Sequence, residues 1–344
     1  MILPIRLGER SYDVVIERGG LTRVGEWFDL NRRVFILTDS GVPRQYAETV
    51  AKAAKEPTIF TVPAGEESKS MEQFSAVLSA MFRAGLSRKD CVVAVGGGVC
   101  GDLAGFAAAT YMRGVDFYNV PTTLLSQVDS SIGGKTAIDF EGVKNIVGAF
   151  YQPKKVLIDP ETLSTLDRRQ LVAGLCEAIK MAMTSDAELF RLIETQPFEE
   201  HLDEIIEGAL RVKRDVVERD EKESGLRKIL NFGHTIGHGI EATSEPTLYH
   251  GECVSLGMLP MCEGEIREKL IHVLQKVGLP TACHLQIDDV MNAIEHDKKK
   301  AETGIDCVLV PKIGKAEIVR LSPEQLRERV EACFSDCPKE ERNA

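Results

Sequence analysis

Two textures divide the chain. As far as about residue 160, short apolar runs of strand length recur at 34–37, 58–62, 91–95, 116–120 and 155–158. Helical spacing fills the gaps between them, as over 71–84, where Phe74, Val77, Leu78, Met81 and Phe82 fall on one face. Strands alternating with helices predict a parallel sheet covered on both faces, because each parallel crossover needs a long return segment. Beyond Pro160 strand signals become rare. Residues 188–194 and 202–223 read as helices, the second with a stripe of Ile205, Ile206, Ala209, Leu210 and Val212 under a charged surface. Residues 307–310, followed by lysines at 312 and 315, read as a short strand and turn. The pattern predicts an α/β domain over 1–160 with a Rossmann-like parallel sheet, then a mainly α-helical domain over 161–344.

Length agrees with two domains, since 344 residues exceed the ~250–300 at which one core usually stops growing. The net charge of −11 argues against a nucleic-acid partner, whose phosphates need a basic face. An anionic small molecule would instead need a local cluster of Lys and Arg. No apolar run reaches the ~18 residues of a membrane span, because Asp102 and several glycines break the longest candidate, so no membrane partner is expected. The opening MILPIRLGERSYDVVI lacks a basic stretch followed by an apolar one, so no signal peptide is expected. Nine cysteines, with no CxxC pair, point to reduced thiols and a cytoplasmic location.

The run 91–95 leads into Gly96, Gly97, Gly98, Val99, Cys100, Gly101 and Asp102, which satisfies G-x-G-x-x-G between a strand and an apolar helical stretch at 103–109. Residues without side chains let backbone N–H groups approach a pyrophosphate at a helix N-terminus. A tight strand-to-helix turn would use the same glycines. The usual ribose-binding acid would be Asp116, but it opens a strand; Asp39, closing the strand 34–37, is better placed.

His234 and His238 lie four apart, and His250 follows within 17 residues. Imidazoles at such spacing, with a carboxylate, suit a divalent ion that keeps an open position. Spacing alone pairs His234 with His238. Glu177 and Lys180 share a helical face and offer a carboxylate and a cation. His201, His272, His284 and His296 read as surface residues, and Cys176 and Cys253 as structural thiols. Among the cations, Lys135 stands out in Asp129-Ser-Ser-Ile-Gly-Gly-Lys135, because glycines before a lysine let backbone and ammonium converge on one anion. Lys144, Lys213, Arg227 and 298–300 add further positive charge near element boundaries.

The blocks GGGVCGDLAGFAAATYMRG, VPTTLLSQVDSSIGGKTAID, KNIVGAF, CEAIK, NFGHTIGH and HGECVSLGM, in that order, closely resemble the 3-dehydroquinate synthase family, from about Asp39 to Lys299. The resemblance implies an NAD-binding α/β domain followed by a helical metal-binding one. It implies Glu177, His234 and His250 as ligands of one Zn or Co ion, with His238 moved to the substrate phosphate. NAD would be met by Asp39, Glu66, Lys69, Gly97, Gly98, Asp102, Thr122, Thr123, Lys135, Thr162 and Thr165, with Lys144 toward the nicotinamide. The substrate would be held by Asp129, Lys135, Asn145, Lys180, Lys213, Arg227, Asn231 and one of Lys298 and Lys299. The implied activity is a carbon–oxygen lyase of the shikimate pathway, acting on 3-deoxy-D-arabino-heptulosonate 7-phosphate in the cytoplasm, as a homodimer. NAD would be reduced and reoxidised within one turnover, with phosphate loss, ring opening and aldol closure in between and after. Cys176 and Cys253 depart from the small residues expected there, and the stretch 258–279 is shorter than in most members. Rival readings are another sugar phosphate cyclase, a polyol dehydrogenase of related fold, and a non-catalytic binding protein.

Overall fold

The computed structural model describes residues 1–244, 248–283, 286–297 and 304–334, which form two compact units. The first holds Met1–Asp167 together with Lys213–Lys222; the second holds Arg168–Val212 and the described residues from Glu223 on.

In the first unit the strands are β1 (Ile2–Ile5), β2 (Tyr12–Ile16), β3 (Arg33–Asp39), β4 (Glu56–Val62), β5 (Cys91–Gly96), β6 (Asp116–Pro121), β7 (Lys135–Phe140), β8 (Val143–Phe150) and β9 (Lys155–Ile158). Seven of them form a sheet of order β1-β2-β9-β6-β5-β3-β4, parallel throughout except for the β1–β2 hairpin at one edge. Every strand expected from the sequence is present. The helices are α1 (Val24–Trp27), α2 (Arg44–Ala53), α3 (Met71–Arg83) and α4 (Gly98–Thr110).

Strand alternation builds two cores. Phe35, Leu37, Val92 and Ala94 point to one face and pack with Val77, Met81, Leu103 and Phe106 of α3 and α4. Val34, Ile36, Cys91, Val93 and Val95 point to the other and pack with Ala47 and Val50 of α2. Apolar residues on both faces explain why these strands read as unbroken runs rather than alternating ones. One position departs from the expected face: Phe82 is 76% exposed, while Ala80 is buried in its place. A face read at 3.6 residues per turn is wide enough to include a flank that the sheet does not cover.

Two hairpins escaped the sequence pattern. One is β1–β2. The other is β7–β8, a separate two-stranded sheet with Phe140, Val143, Ile146 and Phe150 exposed. Outward apolar side chains there remove the alternation by which a hairpin is recognised.

The second unit is mainly helical, with α5 (Arg168–Ser185), α6 (Ala187–Thr195), α7 (Leu202–Arg219), α8 (His234–Thr243), α9 (His250–Met258), α10 (Gly264–Val277), α11 (Ile287–Asp297) and α12 (Pro323–Glu331). The apolar stripe of α7 is buried as expected. That helix ends at Arg219, four residues before the expected end, and its residues from Lys213 belong to the first unit. The strand read at 307–310 is the middle of β10 (Ile305–Lys312), which pairs with β11 (Lys315–Leu321). No helix among the described residues is long and apolar enough to cross a membrane.

Candidate active site

Three helices of the second unit, α5, α8 and α9, carry the histidine and carboxylate chemistry. Their backbones approach closely because glycines face each other. A Cβ on Gly257 of α9 would lie 2.1 Å from the Gly233 carbonyl oxygen, and one on Gly251 would lie 1.9 Å from that of Ala173 on α5. Side chains at those positions would hold the helices apart. The start of α9 is further fixed by Glu252, which accepts from the Tyr249 N–H at 2.8 Å and from Arg169 Nε at 2.6 Å.

This packing brings Glu177, Lys180, His234, His238 and His250 together. Glu177 Oε1 lies 3.8 Å from Nε2 of His234 and 3.8 Å from Nε2 of His250. It is buried and has no hydrogen-bond partner among the described residues, while Oε2 accepts from the Lys180 ammonium, itself 1% exposed. The three histidines each place a ring nitrogen within 4.8 Å of the others. His238, which spacing had paired with His234, therefore joins the cluster, but from an exposed position. Burial, the Lys180 charge and the other imidazoles hold His234 well below its ordinary value, so it is a neutral ligand-type imidazole. For His250 burial works in the same sense, but the hydrogen bond it donates to Glu241 and the Glu177 charge prevail and raise it.

The donor set fits a divalent ion. An orphaned buried carboxylate oxygen costs free energy unless something cationic meets it, and it faces two imidazole nitrogens. Both Nδ1 atoms are engaged elsewhere, with the Phe232 carbonyl at 3.2 Å and with Glu241 at 3.1 Å, which leaves both Nε2 lone pairs toward Glu177. Glu241 and the Phe232 carbonyl were not singled out from the sequence; the seven-residue step from His234 to Glu241, two helical turns, was the available signal. Arg227 is buried in the same unit, and Asn231 donates to Glu223 at 2.8 Å. Lys298, Lys299 and His284 lie outside the described residues.

In the first unit the glycine turn opens α4, which begins at Gly98, earlier than the stretch 103–109 suggested. Gly97 caps the helix with no side-chain hydrogen bond. The first-turn N–H groups therefore have no side-chain acceptor at the cap, as an anion-binding turn requires. Thr122 donates its N–H to the Gly96 carbonyl, and Thr123 packs against Gly97. Asp39, at the end of β3, accepts from the Gly41 N–H at 2.8 Å and from the Cys100 thiol at 3.2 Å. Thr162 and Thr165 have their hydroxyls bonded inside the fold, to Asp159, Gln127 and Tyr46.

Lys69 is 4% exposed and forms a cluster with Asp102 at 2.8 Å, Glu66 at 3.2 Å and the Asn145 side-chain oxygen. The sequence reading assigned Asn145 to the substrate; here it meets the residues assigned to NAD. Burial pushes the Asp102 carboxyl up to about 6 against the pull of Lys69, and burial opposes the Lys69 charge, which Asp102 and Glu66 nonetheless raise. The native carboxyl thus keeps its proton at pH values where the unfolded one, near 3.8, has lost it. This contribution to stability is fully present below 3.8 and is lost as pH rises through about 6. Compared with wild type, Asp102→Asn should remove a fall of up to ~3 kcal/mol in unfolding free energy between pH 4 and pH 7. Denaturant unfolding across that range reads the difference; parallel curves would contradict it.

Lys135 opens β7 and is exposed, preceded by Gly133 and Gly134 at φ of 95° and 66°, where other residues are strained. Lys213 is buried and donates to Asp129 at 2.5 Å. Lys144 is exposed on β8.

Residues 59–173 match the family model for 3-dehydroquinate synthase N-terminal, and residues 174–300 match that for 3-dehydroquinate synthase C-terminal. The chain belongs to the 3-dehydroquinate synthase family. The 3-dehydroquinate synthase of Enterococcus faecalis is 44% identical over 95% of this chain and 98% of its own. That of Thermoanaerobacter pseudethanolicus is 42% identical over 94% and 98%. Among solved structures, a 2-deoxy-scyllo-inosose synthase complexed with carbaglucose-6-phosphate, NAD+ and Co2+ superposes with a TM-score of 0.87 at 25% identity, covering 97% of this chain and 100% of that one. The 2-epi-5-epi-valiolone synthase of Streptomyces hygroscopicus, with NAD+ and Zn2+ bound, gives 0.86 at 29%, covering 95% and 98%. Maleylacetate reductase of Agrobacterium tumefaciens, at 16% identity and 0.65, shares the fold.

Within the 3-dehydroquinate synthase family this chain carries Cys176 and Cys253 beside its candidate ligands. Both are buried, and burial pushes the Cys176 thiol well up, as expected of a structural residue.

Proposed function

We propose that this protein is a 3-dehydroquinate synthase, converting 3-deoxy-D-arabino-heptulosonate 7-phosphate to 3-dehydroquinate and phosphate with NAD and one Zn or Co ion. The observation that carries the reading is the buried Glu177 oxygen, without a hydrogen-bond partner among the described residues, facing Nε2 of His234 and of His250 at 3.8 Å. Those three residues would hold the ion, and the turn at Gly97 and Gly98, with Asp39, Glu66, Lys69, Asp102, Thr122 and Thr123, would hold NAD. When bound, NAD would supply reversible hydride acceptance and the ion Lewis acidity.

The chain's own residues supply charge and orientation. Two anionic groups on the substrate need cations; Lys135 and Lys213 of the first unit and Lys180 and Arg227 of the second would supply them in a protein whose net charge is −11. Asp129 fixes the Lys213 ammonium, and Glu223 fixes the Asn231 amide. Held side chains cost less ordering when a ligand arrives, and orientation of one bound intermediate is what a multistep reaction asks of its enzyme. The exposed His238 imidazole would meet the substrate phosphate. Burial of Lys180 and Arg227 strengthens their attraction for an anion, because a low local dielectric screens less.

The test follows from NAD being regenerated. Inorganic phosphate should appear in step with consumption of the heptulosonate phosphate, while absorbance from NADH stays flat. Stoichiometric NADH would give the protein to the dehydrogenase reading, and phosphate release with the cyclisation product of another sugar phosphate would give it to a sister cyclase.

A further inference from the structure

The orientation of His250 rests on Glu241, a residue of α8 outside the ligand set proposed above. His250 is the first residue of α9, and its side chain is 31% exposed, so helix packing alone does not lock the ring. Its Nδ1 lies 3.1 Å from Glu241 Oε2. An ionised carboxylate only accepts, so this contact puts a proton on Nδ1 and leaves the lone pair on Nε2, the atom 3.8 Å from Glu177 Oε1. His234 reaches the same tautomer through the Phe232 carbonyl at 3.2 Å, a backbone group that no substitution removes. The two imidazoles thus present the same nitrogen by different means, and only one of those means is a side chain.

The backbone of His250 is held separately. Glu252 closes the first turn of α9 on the Tyr249 N–H and is itself held by Arg169, whose guanidinium lies 4.4 Å from the Tyr249 ring centroid. Gly251 lies against Ala173 of α5. These contacts place the Cα of His250 whether or not Glu241 is present, and Glu241 decides only where the ring points.

We propose that Glu241 is a positioning residue of the metal centre, fixing the tautomer and rotation of His250 so that Nε2 meets the ion. This rests on the ligand assignment of the preceding section. Carboxylate partners of ligating histidines typically govern affinity by 10- to 100-fold, because they set ring orientation and raise the basicity of the ligating nitrogen.

The experiment is a Co2+ titration of the metal-stripped full chain with NAD present, against a chromophoric chelator, on wild type, Glu241→Ala, Glu241→Gln, Glu241→Asp and His250→Ala. Glu241→Ala should bind Co2+ about 10- to 100-fold more weakly. Glu241→Gln retains an accepting oxygen at the same reach and should lose less. Glu241→Asp, one methylene short, should lose more than Gln although it keeps the charge, and it preserves the comparison if the alanine variant fails to fold. KM for the heptulosonate phosphate at saturating Co2+ should stay near wild type in each folded Glu241 variant. A Co2+ affinity within twofold of wild type in folded Glu241→Ala or Glu241→Asp overturns the inference. If His250→Ala itself binds Co2+ like wild type, the ligand assignment fails, and that result is read independently of the Glu241 series.

Discussion

Glu177→Ala is expected to abolish metal retention, lower turnover at least ~1,000-fold and destabilise the metal-free protein by roughly 3–5 kcal/mol. The two losses have different origins. Oε1 faces Nε2 of both His234 and His250, so its removal would open the proposed ligand set. Oε2 accepts from Lys180, which is 1% exposed, so its removal also takes the carboxylate from a buried ammonium. The cost of a stranded charge exceeds what the pair contributes, because the water that once solvated it cannot return. A double variant separates them. Glu177→Met with Lys180→Met replaces the pair by apolar side chains of similar length and should recover most of the stability while metal and activity stay absent. Denaturant unfolding, metal content by atomic emission and phosphate release provide the three readings. A folded Glu177→Ala protein with stoichiometric metal would refute the assignment of Glu177.

Gly257→Ala should damage the same centre from a distance. The added methyl would sit 2.1 Å from the Gly233 carbonyl oxygen and 2.6 Å from the Gly237 nitrogen. Both are backbone atoms, and the Gly237 N–H donates to that same carbonyl in the first turn of α8. No rotamer change relieves the overlap, so α9 must move away from α8. Alanine gains ~1 kcal/mol over glycine as a helix former, too little against an overpacking cost of ~3 kcal/mol or more where the neighbour cannot yield. His234 sits on α8 and His250 on α9, and metal coordination tolerates displacements of only ~0.2 Å. We expect a net loss of ~2 kcal/mol or more in stability and at least a tenfold loss of Co2+ affinity. An unfolding midpoint equal to that of wild type, with metal bound normally, would contradict the close approach of these helices.

Composition and local pattern carried much of this protein. The buried parallel strands were legible because both faces are apolar, and α7 because its stripe recurs at helical spacing. The β7–β8 hairpin was not, since its apolar residues face outward. The histidine cluster was visible as three imidazoles within 17 residues, but spacing favoured the pair His234 and His238, which share one helix. Spacing reports neighbours along a helix, whereas Glu177 and His250 reach His234 from two other helices. The proposed ligand set came from family resemblance, not from periodicity.

The sequence by itself determined the alternation of strands and helices, the glycine turn and the supply of ligand-type side chains, because each is a property of consecutive residues. Tertiary structure alone decided that Glu177 Oε1 would be buried without a hydrogen-bond partner among the described residues, that Glu241 would meet His250 Nδ1, and that Asn145 would meet Lys69 and Asp102. Each of these joins residues far apart in the chain or on different elements. The physical reason is packing distance: glycines at 233, 251 and 257 let three helix backbones come within contact, and at that separation Glu177 Oε1 faces Nε2 of His234 and His250.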